Sequence, residues 1–335
     1  MGSPAAVGEV VVITGASAGV GRATAREFGR RGARVGLIAR GRAGLEAAAA
    51  EVRAAGGEAL VLPCDVADFA AVDAAGTRVE EELGPIDVWV NVAMAAVLAE
   101  VSETSADEFR RVTEVTYLGS VHGAKAALAR MLPRDRGKIV QVGSALAYRG
   151  IPLQATYCGA KHAIQGFCES LWTELLHRRS EVELTVVHLP GLNTTQFTWV
   201  RARTRGRPRP VAPVYQPEIA ARAIVWAAHH RRRELWVGFP TAYTIAGNRI
   251  APWFADRYLA KTAFKGQQTE QPLDPGRPDY LEAPLDDDVD HGAHGPFGDE
   301  AKRHSPQLAL AEHRRAAALA VALAAGAAVV AAARR

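Results

Sequence analysis

Six short and nearly continuous apolar runs recur along the first 190 residues: VVVIT (10–14), RVGLIA (34–39), ALVLPCD (59–65), IDVWVN (86–91), KIVQVG (138–143) and ELTVVHL (183–189). Ala-rich segments of helical period separate them. A strand with one face in water alternates apolar and polar residues, whereas a strand covered on both faces reads as an apolar run. The pattern therefore predicts an α/β fold, a doubly wound parallel sheet with helices on both faces. Further on, QPEIAARAIVWAAHH (216–230) predicts a helix with Pro217 in its first turn, and ELWVGF (234–239) a seventh strand. The predicted domain spans residues 1–265.

Composition narrows the function classes. A chain of 335 residues, 48% hydrophobic and 23% charged, can bury a large core and is not disordered as a whole. With 40 basic and 36 acidic residues its net charge of +4 is too balanced to indicate nucleic-acid binding. The dense basic patch RARTRGRPRP (201–210) has no interleaved aromatic platform and reads as a solvated loop. Cys64, Cys158 and Cys168 show no CxxC spacing, so neither a disulfide framework nor a metal site is expected, and a reducing, cytoplasmic setting fits. No secretory leader is expected from the first residues, because a strand-like run begins by Val10.

TGASAGVGRATAREF follows the first predicted strand and opens a helix. Glycines at a strand-to-helix turn let backbone approach a pyrophosphate, and the helix N-terminus supplies unpaired N–H groups and partial positive charge. Gly15, Ser17, Gly19, Val20 and Gly21 are thus candidate cofactor residues. At the end of the second strand, where an NAD site places a carboxylate for the ribose hydroxyls, positions 36–41 hold no Asp or Glu but do hold Arg40. A guanidinium makes charge-assisted bonds to a 2′-phosphate, so NADP is the expected cofactor. Asp65 and Val66, at the end of the third run, fall near the expected adenine edge.

In ATYCGAKHA (155–163), Tyr157 and Lys161 stand four positions apart, the spacing that stacks two side chains on one helix face. A tyrosine with its ordinary pKa of about 10 is a poor base near neutrality, and a nearby cation lowers that value. Hydride exchange between a hydroxyl and a carbonyl needs such an acid/base group, and Ser144, at the end of KIVQVGS, is placed to hold the substrate oxygen.

Taken in order, TGxxxGxG at 14–21, Asp65, Ser144 thirteen positions before Tyr157, YxxxK at 157–161 and PGLNT at 190–194 resemble the short-chain dehydrogenase/reductase family over residues 9 to about 240. The resemblance implies that Ser144, Tyr157 and Lys161 carry catalysis, and that Pro190, Gly191 and Thr194 lie along the nicotinamide. It also implies a homo-oligomer formed through the helices carrying Phe109 and Tyr157. ARGRAGLEAA after the second strand is similar to the NADP-preferring members. Two motifs depart from the family pattern. NVAM (91–94) replaces NNAG, keeping Asn91 as a candidate cofactor residue, and Thr116 stands where the family has a proton-relay asparagine. A hydroxyl holds a water but lacks an amide's paired donor and acceptor, so Thr116 is carried as the fourth catalytic candidate.

Residues 192–215, with Phe197, Trp199 and Tyr215, are expected to form a substrate lid or to pack beneath one. Residues 266–305, rich in Pro, Gly, Asp and His without apolar period, read as a flexible linker, with His291 and His294 solvated rather than metal-bound. The tail 306–335 carries 18 uncharged residues (316–333), twelve of them Ala, which span about 27 Å as a helix. Alanine contributes little to insertion, so a membrane anchor and a helix lying on protein both stand. The reading is an NADP-dependent oxidoreductase interconverting hydroxyl and carbonyl on a small or medium apolar substrate. The alternative is an NADP-binding sensor or scaffold without turnover.

Overall fold

The computed structural model describes residues 8–313. The first half of the chain runs β1 (Val10–Thr14), α1 (Gly19–Gly29), β2 (Arg34–Ala39), α2 (Arg42–Ala54), β3 (Glu58–Pro63), α3 (Phe69–Glu82), β4 (Val88–Asn91), β5 (Val97–Leu98), α4 (Ala106–Val112), a π-helical turn (Thr113–Leu118), α5 (Gly119–Met131) and β6 (Lys138–Ser144). It continues through α6 (Ala155–His177), β7 (Glu183–Leu189), α7 (Gln196–Trp199), β8 (Arg201–Ala202), β9 (Gly206–Pro208), α8 (Pro217–Ala228), β10 (Glu234–Trp236), α9 (Phe239–Ile250), α10 (Pro252–Gly266), β11 (Gln268–Pro272) and α11 (Pro306–Glu312).

Seven strands form one parallel sheet in the order β10-β7-β6-β4-β1-β2-β3, with the order reversing beside β1. Every residue of β1, β4 and β6 is buried, as continuous apolar runs require. Two apolar layers cover the sheet. One gathers Trp89, Ile139, Ile164 and Trp172, and the other Phe28, Leu37, Leu45 and Ile224. The doubly wound architecture and the seventh strand thus stand as read from sequence. Pro217 sits in the first turn of α8, where its missing N–H leaves no hydrogen bond unmade.

The segment 266–305 departs from its expectation as a linker without a core. β11 pairs antiparallel with β9, and Tyr280 and Leu281 are buried in the same layer as Trp89. Farther on, Gly295 N donates to Asn193 O and Lys302 N to Val214 O at 2.9 Å. Residues 279–302 therefore run as a strap across the carboxyl end of the sheet. Backbone hydrogen bonds and isolated anchors hold it, and such anchors leave no apolar period for a sequence to display. The basic patch departs likewise from a purely solvated loop. Arg203 donates to Glu108 at 2.7 Å, Arg201 to Asp279 at 2.8 Å and Arg209 to Glu300 at 2.6 Å. Among the described residues no helix is long and apolar enough to cross a membrane, and the apolar run 316–333 lies outside them.

Candidate active site

The carboxyl ends of β1, β2, β3, β6 and β7 open on one cleft, the position where parallel sheets bind ligands beside a reversal of strand order. Gly15, Ser17, Gly19, Val20 and Gly21 line it at the β1–α1 turn. Gly15 has φ +69°, and a Cβ there would stand 2.8 Å from Ala93 Cα, so the turn is closed to any other residue. Ala18 precedes α1 with no side-chain cap, leaving the helix's first N–H groups without a side-chain acceptor. This cradle fits a pyrophosphate, whose charge suits the N-terminus of an eleven-residue helix.

Arg40, Asp65 and Val66 line one end of the same cleft, and Pro190, Gly191 and Thr194 line it after β7. Burial raises the pKa of the Asp65 carboxyl, but the Ala67 N–H and the Arg111 guanidinium, 2.5 Å away, outweigh that and hold it below the usual value. Asp65 is thus a charged, pinned group. Arg40 does not project free. Burial lowers its pKa, and its guanidinium donates to the carbonyls of Tyr280, of Leu281 at 3.2 Å and of Glu282 at 3.0 Å.

Ser144, at the end of β6, and Tyr157 and Lys161, on α6, face the cleft together. Burial pushes the Tyr157 phenol up to about 12, with the Ser144 hydroxyl beside it acting in the opposite direction. Burial brings the Lys161 ammonium down to about 8. Lys161 Nζ donates to Val142 O at 2.7 Å and lies 5.5 Å from the centre of the Tyr157 ring. The four-residue spacing does bring the pair together. The phenol's pKa is nonetheless raised, because burial prevails over the opposing Ser144 hydroxyl. A phenol held up to about 12 is a proton donor throughout the neutral range.

Two sequence candidates do not line the cleft. The Asn91 amide is buried, accepting from Trp89 Nε1 at 3.0 Å and donating to Ser120 O at 3.3 Å, so it braces β4 against α5. Thr116, fully buried in the π-helical turn, donates to Ala95 O at 2.9 Å and accepts from Ala95 N at 2.8 Å. Its hydroxyl clamps the chain after β4, with one acceptor lone pair left over. The altered motif 91–94 has a second brace, since Thr14 Oγ1 accepts from Val92 N and Ala93 N at 3.1 and 3.2 Å.

The remaining wall is mixed, with a large apolar share. Leu146, Ile151, Leu192, Val211 and Leu259 contribute, and Arg149, Gln154, Thr195, Gln196, Thr241 and Thr244 add polar groups among them. Phe197 and Trp199 line the cleft as a lid would, whereas Tyr215 is buried in the layer under α8 and serves as packing. Sequence reasoning missed Tyr280, Pro284, Leu285 and Asp286 of the strap, which also line the cleft. The Tyr280 hydroxyl accepts from Ala96 N at 2.9 Å and its ring lies 5.9 Å from that of Trp199. The unlike composition around these residues hid them. The two histidines of the strap have protein neighbours too: His291 packs on Trp199, and His294 lies 2.8 Å from Glu218.

Residues 9–205 match the family model described as short chain dehydrogenase. The chain is similar to an uncharacterized oxidoreductase of Bacillus subtilis, at 29% identity over 80% of this chain and 76% of that protein. It is 30% identical to dehydrogenase/reductase SDR family member 7B of Bos taurus over 78% of this chain and 83% of the relative. Against 17-beta-hydroxysteroid dehydrogenase 13 of Rattus norvegicus the identity is 33%, over 65% and 71% respectively.

Proposed function

The chain belongs to the short chain dehydrogenase family, an oxidoreductase family that uses a nicotinamide cofactor, and on that footing we propose that it is an NADP(H)-dependent carbonyl reductase and alcohol dehydrogenase acting on small or medium apolar substrates. The observation that carries the reading is the convergence of Ser144, Tyr157 and Lys161 with the glycine turn on one cleft with a large apolar share. When bound, the nicotinamide supplies or accepts the hydride. Ser144 holds the substrate oxygen, and Tyr157, protonated at neutral pH, donates the proton that the nascent alkoxide needs. Lys161, charged below about pH 8, places positive charge behind the phenol and offers its ammonium toward a ribose hydroxyl. Thr116 acts through position, holding Ala95 beside the cleft.

Arg40 with no acidic residue at 36–41 supports NADP(H) over NAD(H). The same proposal includes a homo-oligomer and a tail, 306–335, that tethers the enzyme near lipophilic substrates. A dinucleotide-binding sensor without turnover is the rival, favoured by the engagement of the Thr116 hydroxyl with Ala95. NADPH consumption with a panel of carbonyl compounds separates the two. Tyr157→Phe should lower turnover by at least about a hundredfold, and unchanged turnover refutes the catalytic assignment. Arg40→Asp should weaken NADPH far more than NADH, and equal weakening removes the cofactor argument.

A further inference from the structure

The strap covers the adenosine end of the cleft with groups of definite chemistry. Asp287 Oδ1 accepts from Arg42 N at 2.9 Å, Asp287 O from Ala43 N at 3.0 Å and Asp286 O from Gly44 N at 2.9 Å. Three successive N–H groups at the start of α2 are thereby taken by the strap, and three strap carbonyls take Arg40. A helix N-terminus next to a guanidinium is the donor set that a phosphate monoester requires. The strap therefore stands in for one.

Asp286 has a second property. Its residue is 6% exposed and lines the cleft, and its carboxylate has no hydrogen-bond or ion-pair partner among the described residues. It packs against Gly41 and Gly44, where any Cβ would collide with the carboxylate. Its charge also acts on Arg40. Both carboxylate oxygens stay open to the cleft, free to accept from a group bound there. The end of β2 is where a carboxylate meets the adenosine ribose hydroxyls, and this chain has none at 36–41. Asp286 brings one there from 245 residues downstream of Gly41.

We infer that Asp286 is a specificity-determining residue for the dinucleotide: with the strap closed its carboxylate accepts from the ribose hydroxyls and repels a 2′-phosphate, so NADP(H) is admitted only as residues 280–287 release Arg40 and the α2 N-terminus. The inference rests on the dinucleotide reading of the cleft and refines its NADP preference: Arg40 favours the phosphate, and Asp286 opposes it. NAD(H) binds under the closed strap, whereas NADP(H) exchanges the strap's acceptors for its own phosphate oxygens.

Affinities for NADPH and NADH, read from the fluorescence of the full-length protein and its Asp286→Asn and Arg40→Asp variants, test this. Asp286→Asn should raise the NADPH:NADH affinity ratio about tenfold, as removal of one close like charge implies. An unchanged ratio overturns the role of Asp286. An unchanged ratio in Arg40→Asp instead overturns the NADP argument of the previous section, so the two failures are distinct. Amide exchange in the unmodified protein gives a reading that does not depend on the variants folding. NADPH should speed exchange in peptides covering 280–287 and NADH should not, and equal protection by both cofactors refutes displacement of the strap.

Discussion

Replacing Lys161 by methionine should make the protein more stable and less active at pH 7. Lys161 is 2% exposed, its ammonium meets one protein acceptor, Val142 O, and burial brings its pKa from 10.5 to about 8. That lowering corresponds to about 3 kcal/mol favouring the neutral amine in the fold. At pH 7 the side chain is still about nine-tenths charged, so the folded state carries nearly the whole desolvation penalty. Between pH 8 and 10.5 the unfolded chain holds the proton and the folded chain does not, so the contribution of this group to stability rises with pH across that window. Above it the penalty is gone. Reductive turnover moves the other way, falling as Lys161 loses its charge above about pH 8. Methionine keeps most of the buried methylene volume, and the Val142 carbonyl loses one partner at modest cost. We therefore expect Lys161→Met to gain about 1 to 3 kcal/mol at pH 7, to lose that gain by pH 10, and to lose turnover at both. Urea unfolding at the two pH values, beside NADPH oxidation, measures all three. A variant less stable than the parent at pH 7, or a stability difference that does not change with pH, refutes the reasoning.

Thr116→Val keeps shape but leaves the buried Ala95 N–H without its acceptor, so urea unfolding should show a loss of about 1 to 3 kcal/mol, with Thr116→Ser recovering most of it. Equal stability of the valine variant would remove the clamp. Arg111→Met frees Asp65 from its guanidinium, 2.5 Å away, and should weaken binding of either dinucleotide in titrations followed by fluorescence. Unaltered affinity would show that Asp65 needs no pinning. Deleting residues 306–335 tests the tether, since the full-length chain should partition with membranes on fractionation and the shortened chain should not. A full-length chain that stays wholly in the supernatant refutes it.

Much of the fold was legible because its causes are local. A strand covered on both faces must be apolar along its length, and so VVVIT and ELTVVHL mark β1 and β7 with correct bounds. A glycine turn between strand and helix, and a tyrosine four residues before a lysine on one helix, are also short-range patterns, so the cradle and the Tyr157–Lys161 pair were readable. Their energetics were not. Spacing implied a phenol with a lowered pKa, while burial, a property of everything packed around α6, raises it.

Nothing local marked Thr116 as a clamp, because the π-helical turn that aims its hydroxyl at Ala95 has no compositional signature here. The strap is the extreme case. Its anchors are backbone carbonyls, single carboxylates and one tyrosine spread over 279–302, with no period and no core of their own. The residues by themselves determined a parallel sheet, and they made the glycine turn and the proposed catalytic set legible, since each follows from the periodicity of one element or one turn. Only the tertiary structure decided which charges meet at the end of the cleft beside β2. Arg40 and Asp286 are 246 positions apart, and no local pattern reports a pair that the chain brings together by folding back on itself.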